Sequence, residues 1–155
     1  MRMKITDILN KDLIKIKMTA DSKDDLLNKM MVLAENSGKI IDSKDARSEV
    51  FERESIMSTG VGKGIALPHA KTDAISGTVG ALAIMKEPME YDALDGNPVN
   101  IVFLLLGTEN NVGNHLRLLS KISRLMNNDT FRTHLTQAQS VEEIMDLFVK
   151  AEDQE

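Results

Sequence analysis

The chain has no cysteine and no tryptophan, and only one tyrosine, four phenylalanines, three prolines and three histidines among its 155 residues. Without cysteine there are no disulfides, thiolate nucleophiles or cysteine-based zinc sites, and the composition fits a reducing cytoplasm. With so few aromatic rings, the core must be built from Leu, Ile, Val, Met and Ala. The ten methionines read as core filling, with an adaptable docking surface as the alternative. Long apolar runs are also missing. The longest, Ile101 to Leu106, falls far short of the roughly 20 residues that cross a bilayer. The opening Met1-Arg2-Met3-Lys4-Ile5-Thr6-Asp7 lacks the apolar stretch of a signal peptide. The expectation is a cytoplasmic protein with no direct membrane insertion. No Lys/Arg block stands out and the net charge is −5, which speaks against nucleic-acid binding and favours a basic partner surface over an acidic one.

What is present suits one domain over residues 1–155. With 42% hydrophobic residues the chain can bury a full core, and no repeat, low-complexity segment or linker interrupts it. Ile14, Ile16 and Met18 alternate with Lys15 and Lys17, which predicts a strand over Leu13 to Met18. Ser22-Lys-Asp-Asp25 reads as a capped helix start, followed by an apolar stripe from Leu26 to Ala34 and a stop at Asn36-Ser37-Gly38. A second helix is expected from Ser43 to Arg53 or Glu54. Val79 to Met85 and Val99 to Leu106 are apolar enough to be strands buried on both faces. After Gly107 helical spacing returns in Leu116, Leu119, Ile122, Leu125 and Met126, then a short helix over Asp129 to Leu135, then a capping box at Ser140-Val-Glu-Glu143. This order predicts an α+β fold, an α/β/α three-layer sandwich with a mixed central sheet of about five strands and helices on both faces.

Each histidine can be weighed singly. His69 follows Pro68 at a strand end, behind the glycine-rich run Ser58-Thr59-Gly60-Val61-Gly62-Lys63-Gly64. Proline fixes its own φ and cannot donate to a sheet ladder, so the strand should end or peel away here and present His69 on a defined backbone. A histidine that merely packs in a turn is the plainer alternative. Gly60, Gly62 and Gly64 allow positive φ, and successive N–H groups in such a loop can form an anion-binding concavity. They equally suit a tight connection between helix and strand, and the spacing is not that of a nucleotide-binding P-loop. His115 falls at the predicted start of a helix, where anions bind and the dipole lowers a histidine pKa; it also points with the buried stripe, so a satisfied core histidine is the alternative. Arg53 could give bidentate hydrogen bonds to phosphate, or could pair on the surface with Glu49, Glu52 or Glu54. His134 lies in a polar stretch and reads as a surface residue.

Gly62-Lys-Gly64-Ile-Ala-Leu-Pro-His69-Ala70, preceded by Phe51-Glu-Arg-Glu54, resembles the active-site signature of the type-2 IIA domains of the phosphotransferase system, the fructose/mannitol class and its nitrogen-regulatory relatives. The likeness extends to the apolar strand Asn100 to Leu106 and the helix from Asn114-His-Leu-Arg, and so spans nearly the whole chain. Asn114 to Met126, Phe131-Arg132 and Ser140 to Ile144 look more like the fructose branch. Ala70 stands where glycine is frequent in the family. The resemblance implies that His69 is phosphorylated through Nε2, that His115 faces it, and that Arg53 helps neutralise the phosphate. It also implies HPr as phosphoryl donor, a cysteine of a IIB domain as acceptor, and a site of action next to a membrane IIC permease; no cofactor and no metal is required. An exposed apolar rim around His69 is expected for docking two proteins in turn.

Three other functions compete with transport. One is a regulator that uses the same phosphohistidine to control a target. The second is a metal-dependent hydrolase built on His69, His115 and an acid such as Asp73, for which the motif offers few ligands. The third is a binding module without chemistry, which acid-labile phosphorylation would exclude.

Overall fold

The structure, a computed structural model, describes residues 2–154. Its sheet is built from β1 (Ile14–Met18), β2 (Gly60–Gly62), β3 (Ile65–Ala66), β4 (His69–Lys71), β5 (Val79–Met89) and β6 (Val99–Gly107). The helices are α1 (Ile5–Ile8), α2 (Lys23–Ala34), α3 (Ser43–Ile56), α4 (Val112–Met126), α5 (Asp129–Gln137) and α6 (Val141–Asp153). The strand order is β1-β5-β6-β3-β2, with β4 also paired to β6. β5 and β6 are antiparallel, whereas β1 runs parallel to β5, and both β3 and β4 run parallel to β6. The sheet is therefore mixed, as the sequence predicts.

The two central strands explain the three layers. Val79, Ala81 and Ala83 of β5, with Val102, Leu104 and Leu106 of β6, pack under α2 and α3. Their neighbours Leu82, Ile84, Ile101, Phe103 and Leu105 pack under α1, α4, α5 and α6. Side chains alternate across a strand, so a strand apolar at every position demands cover on both sides. At Gly80 there is no Cβ, and Ile8 of α1 comes to 3.0 Å from where one would stand.

Capping follows the sequence closely. Ser22 Oγ accepts from Asp25 N–H at 3.0 Å and Ser140 Oγ from Glu143 N–H at 3.2 Å. Gly38 closes the segment after α2 with φ 70°. β1 departs from its predicted alternation. Ile14 and Ile16 join one half of the core, but Met18 joins the other. Lys17 takes φ 54° and the pairing with β5 slips between Lys15 and Met18. This bulge on an edge strand turns Met18 to the opposite face.

Candidate functional site

β3 and β4 are one strand of the sheet interrupted at Leu67-Pro68. Both lie against β6, with Ile65 opposite Ile101 and His69 opposite Leu105. Across the gap, Leu67 N–H donates to Thr59 O at 2.9 Å and Pro68 O accepts from Leu105 N–H at 3.0 Å. Proline has no N–H for the ladder, so the chain leaves the sheet and rejoins it at His69. His69 thus opens a new strand and does not end the old one. The detour places the Leu67 carbonyl 2.8 Å from His69 Nδ1. A carbonyl can only accept, so Nδ1 carries the proton and the neutral ring keeps its lone pair on Nε2.

The His115 ring lies 5.9 Å from that of His69, centroid to centroid, tilted by 48°. It sits in the first turn of α4, whose cap is Asn111, and is 3% exposed. Gly107, the last residue of β6, makes room for it: a Cβ there would stand 2.4 Å from His115 Nδ1. Among the described residues, that Nδ1 is the sealed side-chain polar atom without a hydrogen-bond partner. An orphaned N–H is rarer than an orphaned acceptor, so the proton belongs on Nε2, the nitrogen left for the cleft.

His69, His115 and Arg53 line one cleft of about 550 Å³. Arg53 is half-buried in the last turn of α3, and its Nη1 donates to the carbonyl of Met57 at 2.9 Å. Among the described residues no ion pair joins it to Glu49, Glu52 or Glu54, and Glu54 is turned inward to Lys23 at 2.9 Å. Burial depresses the His69 pKa and Arg53 adds to this, against the Leu67 hydrogen bond and Glu54, so the balance lies below the ordinary value. Burial, with smaller contributions from His69 and Lys71, takes His115 down to about 4. Both rings are therefore neutral at neutral pH.

Gly60, Gly62 and Gly64 do not join this group. They form the hairpin between β2 and β3, turning at Lys63 and Gly64 with φ 58° and 79°. Two residues of positive φ make the tight hairpin turn whose twist suits the flanking strands. The Lys63 N–H that could have faced an anion is taken by the Asp95 carboxylate at 3.1 Å. Ile65 and His69 are four positions apart along β6, roughly 13 Å of strand. Of the two readings left open for this run, the tight connection describes it.

Several cleft residues were not among the predicted site residues, and Leu116, expected in the apolar stripe of α4, faces solvent while Leu118 is buried in its place. Ile56 and Leu116 stand 76% and 59% exposed at the mouth and provide the apolar rim. Lys71, the second residue after His69, adds a cation, while Glu49, Glu52 and Glu109 add acids. Glu109 has its pKa raised chiefly by Asp73. The pairing of β4 with β6 brings Lys71 opposite Gly107; spacing could have suggested Lys71, two residues along the strand from His69, and Glu49, one helical turn before Arg53, but not Glu109 or Ile56. His134 is exposed, as read. Among the described residues, no three His, Asp or Glu side chains gather as a metal-holding group, and none of the helices is long and apolar enough to cross a membrane.

The sequence model described as "Phosphoenolpyruvate-dependent sugar phosphotransferase system, EIIA 2" matches residues 7–151. The chain is 35% identical over 145 residues to the PTS system fructose-specific EIIABC component of Bacillus subtilis, covering 94% of this chain but only 23% of that protein. It is 32% identical over 151 residues to the PTS system fructose-specific EIIA component of Haloferax volcanii, covering 96% of this chain and 98% of that one. The crystal structure of the nitrogen regulatory protein IIA-Ntr from Neisseria meningitidis superposes with a TM-score of 0.87 at 33% identity, covering 93% of this chain and 98% of that one.

Proposed function

Because the chain belongs to the EIIA 2 family of the phosphoenolpyruvate-dependent sugar phosphotransferase system, we propose that it carries a phosphoryl group on His69, taken from phosphorylated HPr and passed to a cysteine of a IIB unit. The observation that carries the assignment of His69 is its hydrogen bond to Leu67 O. This bond keeps the proton on Nδ1 and leaves Nε2 unprotonated for attack.

In the first step the Nε2 lone pair attacks phosphorus, the new N–P bond forms, and the bond to the donor's imidazole breaks, its electron pair leaving with that ring. Nδ1 keeps its proton throughout, and the Leu67 carbonyl steadies the positive charge the ring acquires. Arg53 and His115 Nε2–H donate to the phosphoryl oxygens. In the second step a thiolate attacks the same phosphorus and Nε2 recovers its lone pair. Phosphoryl transfer needs little from the protein beyond alignment and charge stabilisation. Two neutral imidazoles beside one arginine supply both without expelling a dianion.

The names of the two relatives, fructose-specific EIIABC and fructose-specific EIIA, support a fructose-like sugar and a IIB acceptor, and membership of the family supports a cytoplasmic place of action. The IIA-Ntr likeness supports a second reading, control of a target by phosphorylation-dependent binding. Purified chain incubated with phosphorylated HPr should take up acid-labile label. His69→Ala should abolish the uptake, and label retained in that variant would overturn the assignment. Adding a purified IIB unit then separates the two readings: label moves to its cysteine in a transport protein and stays on this chain in a regulator.

A further inference from the structure

Directly after Arg53 comes a carboxylate that the proposed chemistry does not use. Glu54 is 8% exposed and fully engaged. One oxygen accepts from Thr59 N–H at 2.7 Å, and Lys23 Nζ lies 2.9 Å from that same oxygen. The other accepts from Thr59 Oγ1 at 2.5 Å and from the Tyr91 hydroxyl at 3.1 Å. Lys23 also lies 4.5 Å above the Tyr91 ring. Burial alone would raise the Glu54 pKa, but the bonds from Thr59 and Lys23 outweigh it and hold the group below its usual range, so the carboxylate stays charged.

A buried charge with this many donors is costly to assemble and contributes little net stability compared with apolar packing. Its position suggests another use. Thr59, gripped at N–H and hydroxyl by Glu54, accepts the Leu67 N–H through its own carbonyl at 2.9 Å. Leu67 in turn offers its carbonyl to His69 Nδ1. Leu67 and Pro68 lie in the gap between β3 and β4. On one side Leu105 N–H of β6 holds Pro68 O; on the other Thr59 O holds the Leu67 N–H, and Glu54 fixes Thr59.

We propose that Glu54 is a positioning residue for phosphoryl transfer: through Thr59 it sets the Leu67 carbonyl that locks His69 in the Nδ1–H tautomer. This rests on the reading of His69 as the phosphoryl carrier. A free imidazole shares its proton between both nitrogens, and the Nε2–H form cannot attack. Loosening Leu67 should therefore let the unreactive tautomer in.

In Glu54→Gln one amide oxygen remains to accept, while the amide NH₂ faces donors and Lys23 loses its counter-charge. Long-range ¹H–¹⁵N spectra of the His69 ring at neutral pH should show one Nδ1–H tautomer in the native chain and a mixture in the variant. Phosphorylation by the donor should slow in proportion to the Nδ1–H fraction lost, about twofold to fivefold for a mixture. Thr59→Val, which keeps the shape and the backbone bond but loses the hydroxyl, should give a milder mixture and serves if Glu54→Gln does not fold. A folded variant whose His69 keeps the single native tautomer overturns the proposal, whatever its rate. The tautomer measurement needs no donor, so the two failures are distinct: a native chain that is never phosphorylated sinks the carrier reading and the positioning role with it, whereas an unchanged tautomer in a folded variant sinks the role of Glu54 alone.

Discussion

At the level of single residues, two neutral imidazoles 5.9 Å apart have a cost that shows in stability. His115 titrates near pH 4 when folded but near its ordinary value of about 6.5 when unfolded. Between those values the unfolded chain binds a proton that the folded chain refuses. Stability therefore falls as pH drops from about 6.5 toward 4, and His69, shifted in the same direction, adds to the fall. From His115 alone the loss between pH 7 and pH 5 is on the order of 2 kcal/mol. Urea unfolding at the two pH values checks this: His115→Gln should flatten the difference, and an equal difference in both proteins would show that the buried ring is not its source. His69 was legible in the sequence because Pro68 precedes it, and Arg53 because it sits in the family signature. The inward turn of Glu54 was not, since its partners Lys23 and Tyr91 lie 31 and 37 positions away.

At the level of elements, the short helix α1 shows how a distant side chain can complete a local structure. Four residues are too few to hold a helix by themselves. Glu152 of α6 accepts the N–H groups of Ile5 and Thr6 at 2.8 and 2.9 Å and pairs with Lys121 of α4 at 3.2 Å. Burial would raise its pKa, but those backbone bonds and Lys121 bring it below the ordinary value. Glu152→Ala removes the acceptor of two backbone donors, one of them fully buried, and should cost about 3 kcal/mol. Denaturant titration measures the loss, and a change under about 0.5 kcal/mol, the range of an uninvolved surface substitution, would mean that Glu152 caps nothing of consequence. α1 itself left no clear mark in the sequence: Asp7 accepts the Lys4 N–H locally at 2.7 Å, but the acceptor for the Ile5 and Thr6 N–H groups comes from α6. The glycine run illustrates the opposite failure. Its local pattern suits an anion nest and a hairpin equally, and only the arrival of Asp95 at Lys63 N–H decides between them.

At the level of the molecule, the sheet divides one core into two halves, and the half beneath α4 also supports His115. Phe148 of α6 lies at its centre, fully buried, edge-on to Phe131 at 5.2 Å and to Phe103 at 6.3 Å. Phe148→Ala should destabilise the fold by about 3–5 kcal/mol, a large share of the roughly 5–15 kcal/mol typical of a domain. Thermal unfolding checks the size of the effect. If His69 still accepts phosphate at temperatures where the variant is folded, the loss is one of stability alone.

The sequence by itself determined the strands β1, β5 and β6 and the helices α2 to α6, and it singled out His69. Apolar periodicity, helix caps, Pro68 and the histidine signature are local features, and local sterics and hydrogen bonding act on them before any tertiary contact forms. The tertiary structure decided the rest. It set which face Met18 takes, where the glycine hairpin lies, how Glu54 is held, and which residues crowd the mouth of the cleft. Each depends on groups far apart in the chain meeting across the sheet, and nothing in local spacing encodes such a meeting.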